Sequence, residues 1–117
     1  RSIPKVPVET WIDFYVCNTK NDDDKTYVDL KTINKDTVYF TDINGNKIPS
    51  IITIEQFNKN QFSIKMLDKY VDVGEVYTLN LTTGIKFKDG TNYYPRTYKL
   101  SVVTAPKNFD KVFQIPL

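Results

Sequence analysis

Apolar and polar residues alternate with a period of two along much of this chain. In residues 75–81, Tyr77, Leu79 and Leu81 fall on one face against Thr78 and Asn80, with Val76 the exception on the polar side. In residues 97–103, Tyr98, Leu100 and Val102 share a face, and in residues 61–66 Phe62, Ile64 and Met66 do. Residues 9–17 set Thr10, Ile12, Phe14 and Val16 against Trp11, Asp13 and Tyr15. Successive strand side chains point to opposite faces, so each segment predicts a half-buried strand. Residues 37–41 form another strand. Asn44-Gly45 then predicts a hairpin turn in which both central residues take positive φ. The partner strand spans residues 47–55, with Pro49 marking an edge or a bulge. Residues 27–30 predict a short strand and 32–36 a single helical turn. Polar loops are expected at 18–25, 58–60 and 68–74. Residues 82–95 read mostly as loop, where Ile85 and Phe87 add at most a short strand.

Composition sharpens this picture. Val, Ile, Thr, Tyr, Phe and Trp supply 51 of 117 residues, against one alanine, six leucines and three glutamates. Branched and aromatic side chains suit a pleated, half-buried surface and lose rotamer freedom in a helix. No amphipathic stretch of helical length occurs. About seven short strands with polar turns between them predict an all-β, antiparallel sandwich. Residues 9–104 make up the sandwich. Residues 1–8, with Pro4 and Pro7, form a linker or edge segment. Residues 105–117 form a tail that either adds an edge strand, with Phe113 and Ile115 on its covering face, or begins a next module. Arg1 opens the chain without a methionine or a leader-like segment, so a mature product or an excised module is expected.

Sixteen basic and 14 acidic residues leave a formal charge of +2, without the footprint of a nucleic-acid binder. The longest apolar run, Phe14 to Cys17, is far too short to cross a membrane. Histidine is absent, which excludes a Ser-His-Asp triad, a Cys-His dyad and any histidine metal ligand within the sequence. Cys17 is the only cysteine, so no disulfide forms within it.

Several segments resemble the bacterial Ig-like module found in S-layer and other Gram-positive cell-surface proteins. Thr32-Ile33-Asn34-Lys35-Asp36-Thr37-Val38-Tyr39-Phe40-Thr41-Asp42, followed by Asn44-Gly45-Asn46-Lys47-Ile48-Pro49, is similar to its polar turn, V-Y-V-like strand and D-x-x-G hairpin. Val73-Gly74-Glu75-Val76-Tyr77-Thr78-Leu79-Asn80-Leu81 is similar to its G-E-x-Y-T-L strand, and Gly84-Ile85-Lys86-Phe87-Lys88-Asp89-Gly90 to its G-[IVL]-K-x-x-D-G loop. Residues 98–104 stand where its final strand sits, and Ile12 and Phe14 where its first strand carries an I-x-F pair. One departure is the acidic loop after Val16-Cys17-Asn18, in place of an N-x-P-V-D-like turn. The resemblance implies a secreted, non-catalytic structural or spacer module at the cell surface or in the cell wall. It carries no shared catalytic residue and no cofactor. The partners it implies are the neighbouring domains of a parent protein, with the isolated module a monomer. The rival readings are a carbohydrate- or protein-binding module, docking on cell-wall polysaccharide or another surface protein in adhesion, and an accessory domain of a secreted enzyme.

Candidate chemistry is sparse. Asp22, Asp23 and Asp24 offer carboxylates to calcium, but adjacent residues rarely converge on one ion, and a solvated loop tip is the better reading. No metal site is therefore assigned. Tyr93, Tyr94 and Arg96 carry groups that stack on sugars or grip a protein surface, against the reading that the tyrosines cover the end of the core. Trp11 joins them as a possible binding residue, because it faces outward if Ile12, Phe14 and Val16 face inward.

Overall fold

The computed structural model describes residues 3–15, 28–54, 61–106 and 112–116. Among them run nine strands: β1 (Lys5–Pro7), β2 (Trp11–Tyr15), β3 (Val38–Thr41), β4 (Lys47–Ile48), β5 (Ser50–Ile54), β6 (Phe62–Met66), β7 (Val76–Leu81), β8 (Arg96–Val103) and β9 (Val112–Pro116). Two 3-10 turns, Leu30–Thr32 and Asp68–Tyr70, are the only helical pieces among the described residues. The strands form a five-stranded sheet ordered β1-β8-β7-β3-β4 and a four-stranded sheet ordered β5-β6-β2-β9. Both contribute to a single apolar core.

Alternation decides which side chains enter that core. Ile12, Phe14, Phe62 and Ile64 of the four-stranded sheet are buried, as are Val38, Phe40, Tyr77, Leu79, Leu81, Leu100 and Val102 of the five-stranded sheet. The Phe14 and Phe62 rings stack at 4.7 Å. Val28, Ile33, Ile85 and Tyr93 are also buried, although they lie in segments without alternation. Burying a side chain of this size stabilises by about 1.5–3 kcal/mol. Tyr98, expected in the core, is only half-buried, because β1 stops short of it and leaves its flank open.

Pro49 divides the predicted strand at 47–55. β4 closes one sheet and β5 opens the other, so the proline marks the point where the chain changes layers. A residue without an N–H suits such a break in the ladder. The hairpin ahead of it also differs in detail from expectation. Gly45 has φ 84°, but Asn44 does not share the positive region. Gly45 donates its N–H to the Asp42 carbonyl at 3.0 Å, and the Asp42 carboxylate accepts the N–H groups of Asn44 and Asn46. A longer turn anchored by Asp42 therefore replaces the two-residue type.

The sheets are not antiparallel throughout. β1 pairs parallel with β8, and β9 pairs parallel with β2. The chain crosses between sheets after β1 and again before β9, so no tight hairpin imposes the antiparallel direction on either strand. The short strand expected at 27–30 reduces to a single bridge between Val28 and Phe87, and the helical turn lies at Leu30–Thr32, ahead of its expected place. Cys17, the acidic loop at 22–24 and the turn at 58–60 lie outside the described residues.

Candidate functional site

The three residues from the loop before β8 do not form one surface. Tyr93 is buried: its N–H donates to the Ile85 carbonyl at 2.8 Å, and the Phe87 ring lies 6.0 Å away. Its hydroxyl has no hydrogen-bond partner among the described residues. Burial pushes the phenol above its ordinary pKa, and the Arg96 guanidinium, 5.8 Å from the ring centre, opposes that shift. Tyr94 points the other way and is 81% exposed. Arg96 is exposed at the start of β8, beside Tyr98. Tyr93 thus covers the end of the core, while Tyr94 and Arg96 remain available.

Trp11 lies on the other sheet, half-buried on its outer face. Register gives it neighbours that sequence spacing does not show. Ile51 pairs with Lys65, the Lys65 ammonium lies 5.2 Å from the Trp11 ring centre, and Trp11 pairs with Val112. Ile51, Lys65, Trp11 and Val112 therefore make a row across all four strands. The next row along is polar: Thr53, Ser63, Asp13 and Gln114. The Ser63 hydroxyl donates to the Asp13 carboxylate, holding that side chain against the sheet. An aromatic platform beside fixed polar groups can take a sugar face or the apolar centre of a protein contact.

A third feature lies between the sheets. The edges of β8 and β9 flank a groove of about 580 Å³, lined among others by Ile3, Tyr98, Leu100, Phe113 and Ile115. Sequence reasoning missed both the row and the groove. Lys65 and Ile51 carry no signal beyond being the outward members of their strands, and the groove depends on which strands end up at the edges.

Among the described residues, no three acidic or cysteine side chains come together as metal ligands. No family model matches the chain, and neither a curated protein nor a solved structure does.

Proposed function

We propose that this chain is a non-catalytic immunoglobulin-like module of a bacterial cell-surface or secreted protein, a structural unit that spaces and holds neighbouring domains. The strand order carries this reading. With β2 to β8 taken as strands B, C, C′, D, E, F and G, the sheets contain the orders G-F-C-C′ and D-E-B, with β1 added beside G and β9 beside B; these orders match the immunoglobulin arrangement with a variable-type C′ strand. Tyr77 supports it further. It stands near the start of strand F, and its hydroxyl accepts the N–H of Asp72 five residues upstream at 2.8 Å, as in a tyrosine corner. Two positions on, where antibody domains place a cysteine, Leu79 fills the core instead. The motif resemblance supplies the bacterial cell-surface setting.

The outer-face row through Trp11 favours a second reading, a carbohydrate- or protein-binding module. One pair of measurements tests both. Antibodies against the domain should label intact source cells or the culture medium; a signal that appears only after lysis would sink the surface assignment. Trp11 is the sole tryptophan, so its fluorescence reports directly on that face. A spacer leaves the emission unchanged when purified cell-wall polysaccharide is added. A saturable shift that is lost in Lys65→Ala selects the binding module.

A further inference from the structure

Among the described residues, β1 covers β8 at one end and leaves the other end uncovered. β1 pairs with Ser101, Val102 and Val103, and among the described residues no strand lies beside Arg96–Leu100 on that side. The hydrogen bonds show which backbone groups this leaves open. Val102 donates its N–H to the Glu75 carbonyl, so even-numbered β8 residues bond toward β7. Ser101 donates the opposite way, to the Pro4 carbonyl. With a period of two, the N–H and C=O groups of Thr97 and Lys99 also face the open side. Pro4 explains why the ladder ends there. Val8 donates to the Val103 carbonyl, and in the same register the nitrogen of residue 4 would reach the Lys99 carbonyl. Proline has no N–H to give.

Beneath this edge is the groove between β8 and β9. Its floor is apolar, with Tyr98, Leu100, Phe113 and Ile115, and among the described residues that line it Arg96 and Lys99 are the charged ones. Both are exposed, and among the described residues no carboxylate lines the groove beside them.

We propose that this groove captures an extended peptide segment of a partner protein, alternating apolar and acidic residues, which adds to β8 as a strand. Backbone pairing with Thr97 and Lys99 supplies the register. Alternate apolar side chains turn inward over Tyr98 and Phe113, and the acidic ones turn outward beside Lys99, with Arg96 at the end. Strand addition also removes an exposed edge, which is otherwise a site of uncontrolled association.

The test uses the whole chain and a blocked seven-residue peptide alternating valine with glutamate. Amide hydrogen exchange read by NMR should show Thr97 and Lys99 open in the free protein and slowed by at least about tenfold with saturating peptide. Lys99→Pro removes one edge donor without touching the β7 ladder, so it should fold normally and weaken binding by about tenfold or more. Should that variant not fold, the same peptide methylated on alternate backbone nitrogens provides the equivalent loss on wild-type protein. A peptide with lysine in place of glutamate should bind at least about tenfold more weakly. Four results would overturn the proposal: protection of Thr97 and Lys99 before peptide is added, meaning that the chain covers its own edge; binding indifferent to the lost backbone donor; peptide-induced changes that map to the Trp11 face; or no saturable binding up to about 1 mM.

Discussion

The Tyr77 hydroxyl accepts the backbone N–H of Asp72 at 2.8 Å, fastening the turn before β7 to a buried ring of that strand. Tyr77→Phe keeps the ring and deletes only this bond. It should lower unfolding free energy by about 1 kcal/mol, read as a lower urea midpoint with an unchanged denaturant slope.

Thr37 and Gly84 are packed too closely for any larger residue at position 84. A Cβ on Gly84 would lie 2.7 Å from the Thr37 methyl carbon. Thr37 cannot easily turn away, because its hydroxyl donates to the Thr32 carbonyl at 2.7 Å and accepts the Asn34 N–H at 3.0 Å. Gly84→Ala should cost about 1–3 kcal/mol. Adding Thr37→Ser removes the methyl and keeps the hydroxyl, so the double variant should regain most of the loss in a thermodynamic cycle.

Gly45 presents the opposite case. A Cβ there would meet nothing within 4 Å, but φ is 84°. The penalty of a substitution is therefore one of backbone conformation alone. Gly45→Val should destabilise by about 1–2 kcal/mol and Gly45→Asn by clearly less, because asparagine tolerates the left-handed region. Thermal unfolding of the two variants side by side checks the order.

The Asp42 carboxylate beside that glycine is held below its ordinary pKa of 3.8, chiefly by the Asn46 N–H it accepts. A depressed acid stabilises the fold above its unfolded-state pKa, and that contribution is lost as pH falls through the lower, folded-state value. Acid titration followed by NMR should show Gly45 and Asn46 shifting together with Asp42 below pH 3.8. Asp42→Asn should abolish the step.

Tyr93 carries a buried hydroxyl without a partner among the described residues, and burial raises its pKa above 10. Tyr93→Phe removes an unsatisfied polar group and should stabilise by about 1 kcal/mol at neutral pH. For the wild type, the unfolded chain loses this proton before the folded one does, so stability declines as pH rises past 10. The difference between wild type and Tyr93→Phe should therefore widen above that pH in urea titrations.

Where local pattern and burial coincide, the strands were readable from residues alone. Ile12 and Phe14, Phe62 and Ile64, and Tyr77, Leu79 and Leu81 alternate, and all are buried. Tyr98 alternates just as well yet stays half-buried, because its cover depends on a neighbouring strand that Pro4 stops short. For the candidate surface, Trp11 was recognisable as an outward residue. Its row could not be read, since Ile51, Lys65 and Val112 come from three segments joined only by register. Tyr93 and Tyr94 are adjacent in the chain, and nothing in their spacing says that one is buried while the other is 81% exposed.

The all-β class, the inward face of the main strands, the glycine at the hairpin, and the lack of histidine and of a disulfide within the sequence are legible from residue order alone. These follow from side-chain shape, a two-residue period and residue inventory, which are local properties. That Pro49 passes the chain from one sheet to the other, that β1 and β9 pair in parallel, and that Thr97 and Lys99 line a groove between the sheets emerges on folding. Those outcomes depend on which distant segments share backbone hydrogen bonds, and the backbone groups that make them are the same in every residue except proline.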